Sequence, residues 1–598
     1  MILQRLSEHY DRIAASGDKQ LPPPGFSPQK ISFCVVLESD GRLNSFQSLQ
    51  EQVGKVLRPR MMIVPGQAKP SGKGLNPCFL WDRADYMLGF AAEQSKKERA
   101  RKAFLEFRDH HLSLRQEIDH PAFDSVCAFL SRWMPEMAEE HSSLLVKVAQ
   151  NFGVFRIVEP MAYVHELIMP PRKMEDDEGD RATEESIGTC LVTGKQVPLA
   201  RLHKPAIKNI IGGEKGGAPL VSFNKAAYWS YRKQQSYNAP VGKDAVFRYA
   251  TALNRLLERK DRRISLGDAT VVFWADHQTI VEDCLSELFA DAPASAEGEA
   301  SENQERVRQT RHFLTQLRDG AAEHFAIERE SRTNFFILGL SPNASRLSVR
   351  LWVEADVAEL EKRLGKHLQD IQLQDGREDD RPLTLWRIVA ATGRAEFDSK
   401  GKLKKFDTDS VSPQLAGDLA RSVLTGAAYP QSLLSTMLRR IRSDGAVHYA
   451  RVASIKACLV RNSRLRGNPI EASMKLDMNN SDTAYCCGRL FALLEKIQTD
   501  SADGELNTTI KDRYFSSAST TPAVVFPRLF RLSQHHMAKL ETGNKIYYER
   551  MLGEVVGKIS NFPRQLALEE QAKFVIGYFH QRQDLYTSKK DKTQGASA

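Results

Sequence analysis

The sequence predicts an α+β protein: a mixed N-terminal and central region of short sheets and many helices, followed by a C-terminal helical bundle. Three observations lead there. Short apolar runs with strand character, such as 30–37, 56–64 and 268–276, stand between turn residues in the first half of the chain. From 354 onward apolar residues recur mainly at helical spacing. After 478 the pattern breaks into four helical stretches, 482–497, 520–540, 546–559 and 567–582, as in a four-helix bundle.

In order, the first helix covers 2–15, with Ile2, Leu6, Tyr10 and Ile13 on one face, and Leu21-Pro-Pro-Pro-Gly25 ends it. A strand at 30–37 turns through Asp40-Gly41 into a second. The strand at 56–64 carries Arg58 and Arg60. Helices fill 85–150, and 151–166 returns to strand. The charged run 173–185 reads as an exposed loop, and 291–304, small, polar and acidic, as a disordered linker. A hairpin at 332–340 and 346–353 brings Arg332, Arg346 and Arg350 near aromatics, a surface for a phosphate backbone or another subunit. Helices follow at 354–373, 382–392, 413–425, 430–444 and 446–462. The organisation reads as 1–170, 171–290, 291–310, 311–477 and 478–598.

The chain has 598 residues and a net charge of +9, which favours an anionic partner such as nucleic acid or a membrane surface. No run approaches the roughly 20 apolar residues of a membrane-spanning helix, and the N-terminus lacks a secretory core, so the expected location is the cytoplasm. The eight cysteines are scattered without Cys-x-x-Cys spacing, and Cys190 and His203 lack further ligands at zinc spacing; neither metal nor cofactor is expected.

Two loops carry binding chemistry. Residues 67–82 join a Gly/Pro-rich loop to an aromatic stretch, placing Lys69, Lys73 and Asn76 on permissive backbone. Lysines reach phosphates and an asparagine reads a base edge, although Asn76 before Pro77 also suits a plain turn. Residues 212–254 hold two glycine pairs around Lys215, then aromatics, Arg232, Lys233 and side-chain amides. The glycines permit a phosphate cradle or a surface turn, and their spacing fits neither nucleotide-binding fingerprint. Asp268, Asp276 and His277 suggest an alternative, a metal-dependent nucleic-acid-processing enzyme. Hydrolase elbows, zinc helices and phosphate-loop lysines are missing, which favours a binding subunit over an enzyme.

Several segments, in this order, carry a resemblance: the opening MILQ, NPCFLWD at 76–82, Gly217-Ala218 with Ser222-Phe-Asn224, and Ser230-Tyr231 with Gln235. They continue through Asn238-Ala-Pro240, TALN at 251–254, Phe273-Trp-Ala275, and LGLSPN at 338–343 followed by Arg346 and Arg350. Over nearly the whole length the chain resembles the large subunit of the type I-C CRISPR surveillance complex (Cascade), the Csd-type family. The resemblance implies a non-catalytic subunit that recognises a protospacer-adjacent motif in double-stranded DNA. It also implies help in opening the duplex, stabilisation of the R-loop with its displaced strand, and recruitment of a separate helicase-nuclease in antiviral defence.

Its implied partners are the guide RNA, the guide-RNA-bearing backbone subunits, a foot subunit, the target DNA and small subunits resembling its own C-terminal bundle. Those small subunits are implied to arise from an internal start, with Met478 first in line and Met474 second. The motif-reading residues expected on this basis are Lys69, Gly72, Lys73 and Asn76. Arg58, Arg60, Lys215, Arg232, Lys233, Arg332, Arg346 and Arg350 are expected at nucleic-acid backbone or subunit contacts.

Overall fold

The computed structural model describes the chain except residues 1, 54–55, 68, 70–73, 149–150, 171–185, 267, 290–300, 321–332, 375–382, 399–402, 503–507 and 588–598. The chain forms two units, Met1–Ile207 with Gly216–Arg255, and Lys208–Lys215 with Leu256–Ala598. The division runs through the glycine-rich segment, so its first glycine pair and its aromatic part belong to different units.

The first unit opens with the helix Ile2–Ala15 and then builds a sheet from β1 (Phe26–Leu37), β2 (Leu43–Ser48), β3 (Gln50–Val53), β4 (Val56–Pro65), β5 (Trp81–Arg83), β6 (Phe152–Ile157) and β7 (Ala162–Tyr163). The order is β3-β4-β1-β6-β5, with β2 also on β1 and β7 on β6. β1 serves three partners: its first half pairs antiparallel with β4, its second half antiparallel with β2, and its other edge runs parallel to β6. The two-residue period of a strand sends Phe33, Val35, Leu37, Phe155 and Ile157 to one face. Phe104 and Phe107 of helix Lys97–Ser113 and Phe123 and Phe129 of helix Pro121–Arg132 cover that face. Cys34, Val36 and Val154 point the other way, packing with Met62, Val64 and Trp81.

Local chemistry fixes these elements. Pro121 starts its helix, and the His120 ring accepts a bond from the Ala122 N–H at 3.2 Å. Gly41 turns β1 into β2 at φ +82°, where a Cβ would lie 2.5 Å from the Ser125 carbonyl oxygen of that same helix. A short hairpin of β8 (Ile187–Thr189) and β9 (Gln196–Pro198) follows.

The second unit contains an antiparallel sheet, β10 (Arg263–Leu266), β11 (Ala269–Ala275), β12 (Asn334–Asn343) and β13 (Arg346–Asp356), in chain order. Trp274 stacks on Phe336 at 5.3 Å and Phe336 on Trp352 at 6.0 Å, while Phe273, Phe335 and Ile337 enter the large core. β14 (Arg394–Phe397) and β15 (Leu403–Asp407) form a small hairpin. Helices then dominate, and their stops follow local rules: Gly426 and Gly445 end the helices Pro413–Thr425 and Gln431–Asp444 in left-handed conformation. Inside this core Asp370, 2% exposed, is bonded at 2.8 Å by Arg461 and at 2.9 and 3.0 Å by Arg464 of helix Tyr449–Leu465. Lys456 donates to the Asp370 carbonyl oxygen, and burial pulls its ammonium down to about 8.

Among the described residues after 478 there are five helices where the pattern suggests four: Thr483–Asp500, Ile510–Ala518, Pro522–Met537, Thr542–Val556 and Leu568–Tyr586. The extra one is short and opens on a Thr509/Asp512 capping box. These helices share one apolar core with those before them, including Leu438, Ile455 and Leu459. Part of the segment expected as a linker is helical, since Ser301–Asp319 forms a helix laced by pairs such as Arg308–Glu305. The remainder, 291–300, and the loop 173–185 lie outside the described residues.

Candidate nucleic-acid interface

The loop of 66–80 is anchored at its base by buried groups. The Trp81 indole donates to the Pro65 carbonyl at 2.7 Å, joining the loop's two ends. Leu80 sits at φ +64°, a region that L-residues avoid, and its N–H donates to the buried His111 ring at 2.9 Å. The other His111 nitrogen lies 2.7 Å from the Phe107 carbonyl oxygen, so the ring is neutral, donating there and accepting from Leu80. Burial drives the His111 pKa down to about 3.

Asp82 is the second anchor. Its fully buried carboxylate accepts from Cys78 N–H at 2.9 Å, Arg83 N–H at 2.7 Å and Lys69 Nζ at 2.6 Å. Burial pushes the carboxyl up while Lys69 and the two N–H groups pull it down. The Lys69 ammonium also lies 3.3 Å above the Tyr86 ring. Lys69 therefore holds the loop down on the fold, whereas the Asn76 side-chain amide makes no hydrogen bond among the described residues. Gly72 and Lys73 lie outside the described residues.

Arg58 and Arg60 stand exposed on β4, and Arg60 reaches Glu51 at only 3.8 Å. In the second unit Lys215 is exposed on a turn entered through Gly212 at φ +71°, and the Ile211 N–H donates to Thr270 Oγ1 at 2.9 Å. Arg350 donates to Ser341 Oγ at 2.7 Å and approaches Asp268 at 3.7 Å. Arg346 pairs in register with Asn343, and Arg332 lies outside the described residues. Asp268 and Asp276 flank β11 at opposite ends, roughly 26 Å apart at strand rise, so they cannot share one metal ion. Asp276 accepts from the Asn334 amide at 2.7 Å. Among the described residues no group of three His, Cys, Asp or Glu is placed to hold a metal. Cys190 Sγ accepts from the N–H of Gly242 at 3.2 Å, and His203 bonds the Tyr249 hydroxyl at 2.6 Å.

Arg232 and Lys233 belong to a knot tied by amides. Asn238 Oδ1 accepts from Ser230 N–H, its Nδ2 donates to the carbonyls of Lys233 and Gln235, and Arg201 donates to Gln235 Oε1 at 2.9 Å. Within the first unit Arg58 and Arg60 thus lie on β4 and Arg232 and Lys233 in the knot; within the second, Lys215 lies on a turn and Arg346 and Arg350 on β13.

The family model of a CRISPR-associated protein, Cas_Csd1, matches residues 6–586. The chain belongs to this CRISPR-associated family. No curated protein matches it. The Cas_Csd1 match includes the anchored loop, the amide-tied knot and all five C-terminal helices. Among the described residues no helix is long and apolar enough to cross a membrane.

The structure also draws in residues that sequence reasoning passed over. Asp82 and Tyr86 organise the loop, yet each looks ordinary in sequence because its partners come from other turns of the fold. Tyr231, adjacent to Arg232, is 94% exposed.

Proposed function

We propose that this Cas_Csd1 chain is the non-catalytic large subunit of a type I-C Cascade, reading a protospacer-adjacent motif in double-stranded DNA. Family membership over residues 6–586 is the observation that carries the reading, and the Asn76 side-chain amide, without a hydrogen bond among the described residues, supports it. In such a complex sequence is read by RNA–DNA pairing, and protein contacts are left with a short motif and the backbone. The Asn76 amide, donor and acceptor at once, suits a base edge, and Lys73, three positions earlier in the sequence, is of a type that suits a phosphate.

Arg58, Arg60, Lys215, Arg232, Lys233, Arg332, Arg346 and Arg350 are assigned to nucleic-acid backbone or to neighbouring subunits. The net charge of +9 favours such partners. Duplex opening, R-loop stabilisation and helicase-nuclease recruitment belong to the same proposal, as do a cytoplasmic location and assembly with guide-RNA-bearing subunits. The test is co-purification with those subunits followed by binding to duplexes with randomised flanking bases. Enrichment of one short flanking motif is expected; binding with no flanking preference removes the motif-reading role.

A further inference from the structure

The knot at 228–238 is more than a basic surface. The Lys233 N–H donates to the Ser230 carbonyl at 2.9 Å, and the residues between them, Tyr231 and Arg232, both have positive φ, +48° and +62°. That is the tight two-residue turn with both central residues left-handed, a position that favours Asn-Gly. Here the positions hold an aromatic and an arginine, and Gln235 at φ +48° is a third left-handed residue within five. Bulky side chains persist in that region where the surroundings enforce it, and such strain clusters at binding sites. Asn238 and Arg201 supply the enforcement.

The result is a ring displayed almost entirely to solvent. Tyr231 is 94% exposed, Trp229 47%, and neither Arg232 nor Lys233 makes a side-chain ion pair among the described residues. Residues 216–243 contain four basic side chains, Lys225, Arg232, Lys233 and Lys243, and no Asp or Glu. A carboxylate-free basic segment with projecting aromatics is complementary to a polyanion that also offers flat apolar faces. In duplex DNA those faces are already stacked; in an unpaired strand they are free.

The geometry points to Tyr231 as a stacking platform for an unpaired nucleobase, with Arg232 and Lys233 neutralising the flanking phosphates. This rests on the nucleic-acid reading above and adds to it a residue, Tyr231, and a mode of contact, ring stacking. Stacking of this kind tolerates any base and is selective for single strands.

The experiment compares full-length wild type with Tyr231→Gly and Tyr231→Phe, using a fluorescent oligo-deoxythymidine and a duplex of equal length at one fixed salt concentration. Tyr231→Gly is expected to melt at or above the wild-type temperature, because glycine relieves the left-handed strain. Its single-strand affinity, relative to duplex, is expected to fall roughly ten-fold. Tyr231→Phe, which keeps the ring, stays within about two-fold of wild type. Wild type that binds the oligonucleotide with an unchanged Tyr231→Gly variant overturns the stacking assignment alone. Wild type that binds neither probe removes the nucleic-acid reading with it. Loss of partner-subunit assembly in Tyr231→Gly, with single-strand binding intact, makes the turn a protein contact and also overturns the assignment.

Discussion

Gly488 and Gly577 occupy one helix crossing from opposite sides. A Cβ on Gly488 would stand 2.0 Å from the Phe574 carbonyl oxygen, and one on Gly577 would stand 2.1 Å from that of Tyr485. Helices Thr483–Asp500 and Leu568–Tyr586 thus meet backbone to backbone, and neither carbonyl is a flexible side-chain end that can swing aside.

Gly488→Ala and Gly577→Ala should therefore each destabilise the protein by about 3 kcal/mol through overpacking. The double variant should lose less than the sum, since either methyl already parts the helices. Denaturant midpoints of the three variants check this, and an unchanged midpoint for either single variant contradicts it.

Asp370→Asn removes the only carboxylate bonded, among the described residues, to Arg461, a buried guanidinium that also lies over the Tyr429 ring. Leaving that charge uncompensated should cost about 3–5 kcal/mol. Adding Arg461→Met should recover part of the loss, because the stranded charge goes with it. Urea denaturation of the single and double variants reads both effects.

Stability should fall in mild acid. Burial depresses the pKa values of His111 and His367 to about 3 and of His165, His203 and His580 to about 4. Their unfolded value is about 6.5, so below it the unfolded chain takes up protons that the folded chain refuses. Their contribution is complete above about pH 6.5 and is lost as pH drops toward 4, by at most about 1.4 kcal/mol per group per pH unit. Melting temperatures at pH 7.5, 6.0 and 5.0 should decline in that order; a flat profile rules the mechanism out.

Lys69 and the Lys73/Asn76 pair should behave differently despite their shared loop. Lys69→Ala leaves Asp82 buried without its cation, so melting temperature and duplex affinity should drop together. Lys73→Ala with Asn76→Ala should weaken binding to motif-bearing duplex roughly ten-fold at fixed salt, with the melting temperature unchanged. If that double variant binds as wild type does, motif reading lies elsewhere.

An internal start at Met478 or Met474 should yield a small C-terminal product in cells expressing the gene. Replacing both methionines with leucine should abolish it while full-length protein persists. A small product surviving both replacements excludes these start sites.

Much of the fold was legible because local rules decide it. Pro413 and Gly426 delimit one helix and Pro430 and Gly445 the next, and Asp40-Gly41 marks the first hairpin. The helix Ile510–Ala518 escaped notice because nine residues hold few turns, although its Thr509-x-x-Asp512 box was visible. The acidic start of helix Ser301–Asp319 looked like linker because no apolar stripe announces it. The site was less legible. Lys69 reads as a phosphate-seeking side chain until the fold brings Asp82, thirteen positions away, beneath it. Nothing in Tyr-Arg-Lys signals a left-handed turn, because the amides that enforce it come from Asn238 and, through Arg201, from outside the segment.

The charged knot at Asp370 also bears on the order of folding. Asp370 and Arg461 are 91 positions apart, on helices Val357–Ile371 and Tyr449–Leu465, so their meeting closes a long loop. Either helix docking into the apolar core alone would carry a bare charge out of water. Desolvation therefore couples the two arrivals, and we expect this pairing to form late and all at once, after the local helices and the β12–β13 hairpin are in place. Asp370, Lys456, Arg461 and Arg464 all precede Met478, so a separately translated C-terminal segment would not carry this charge cluster.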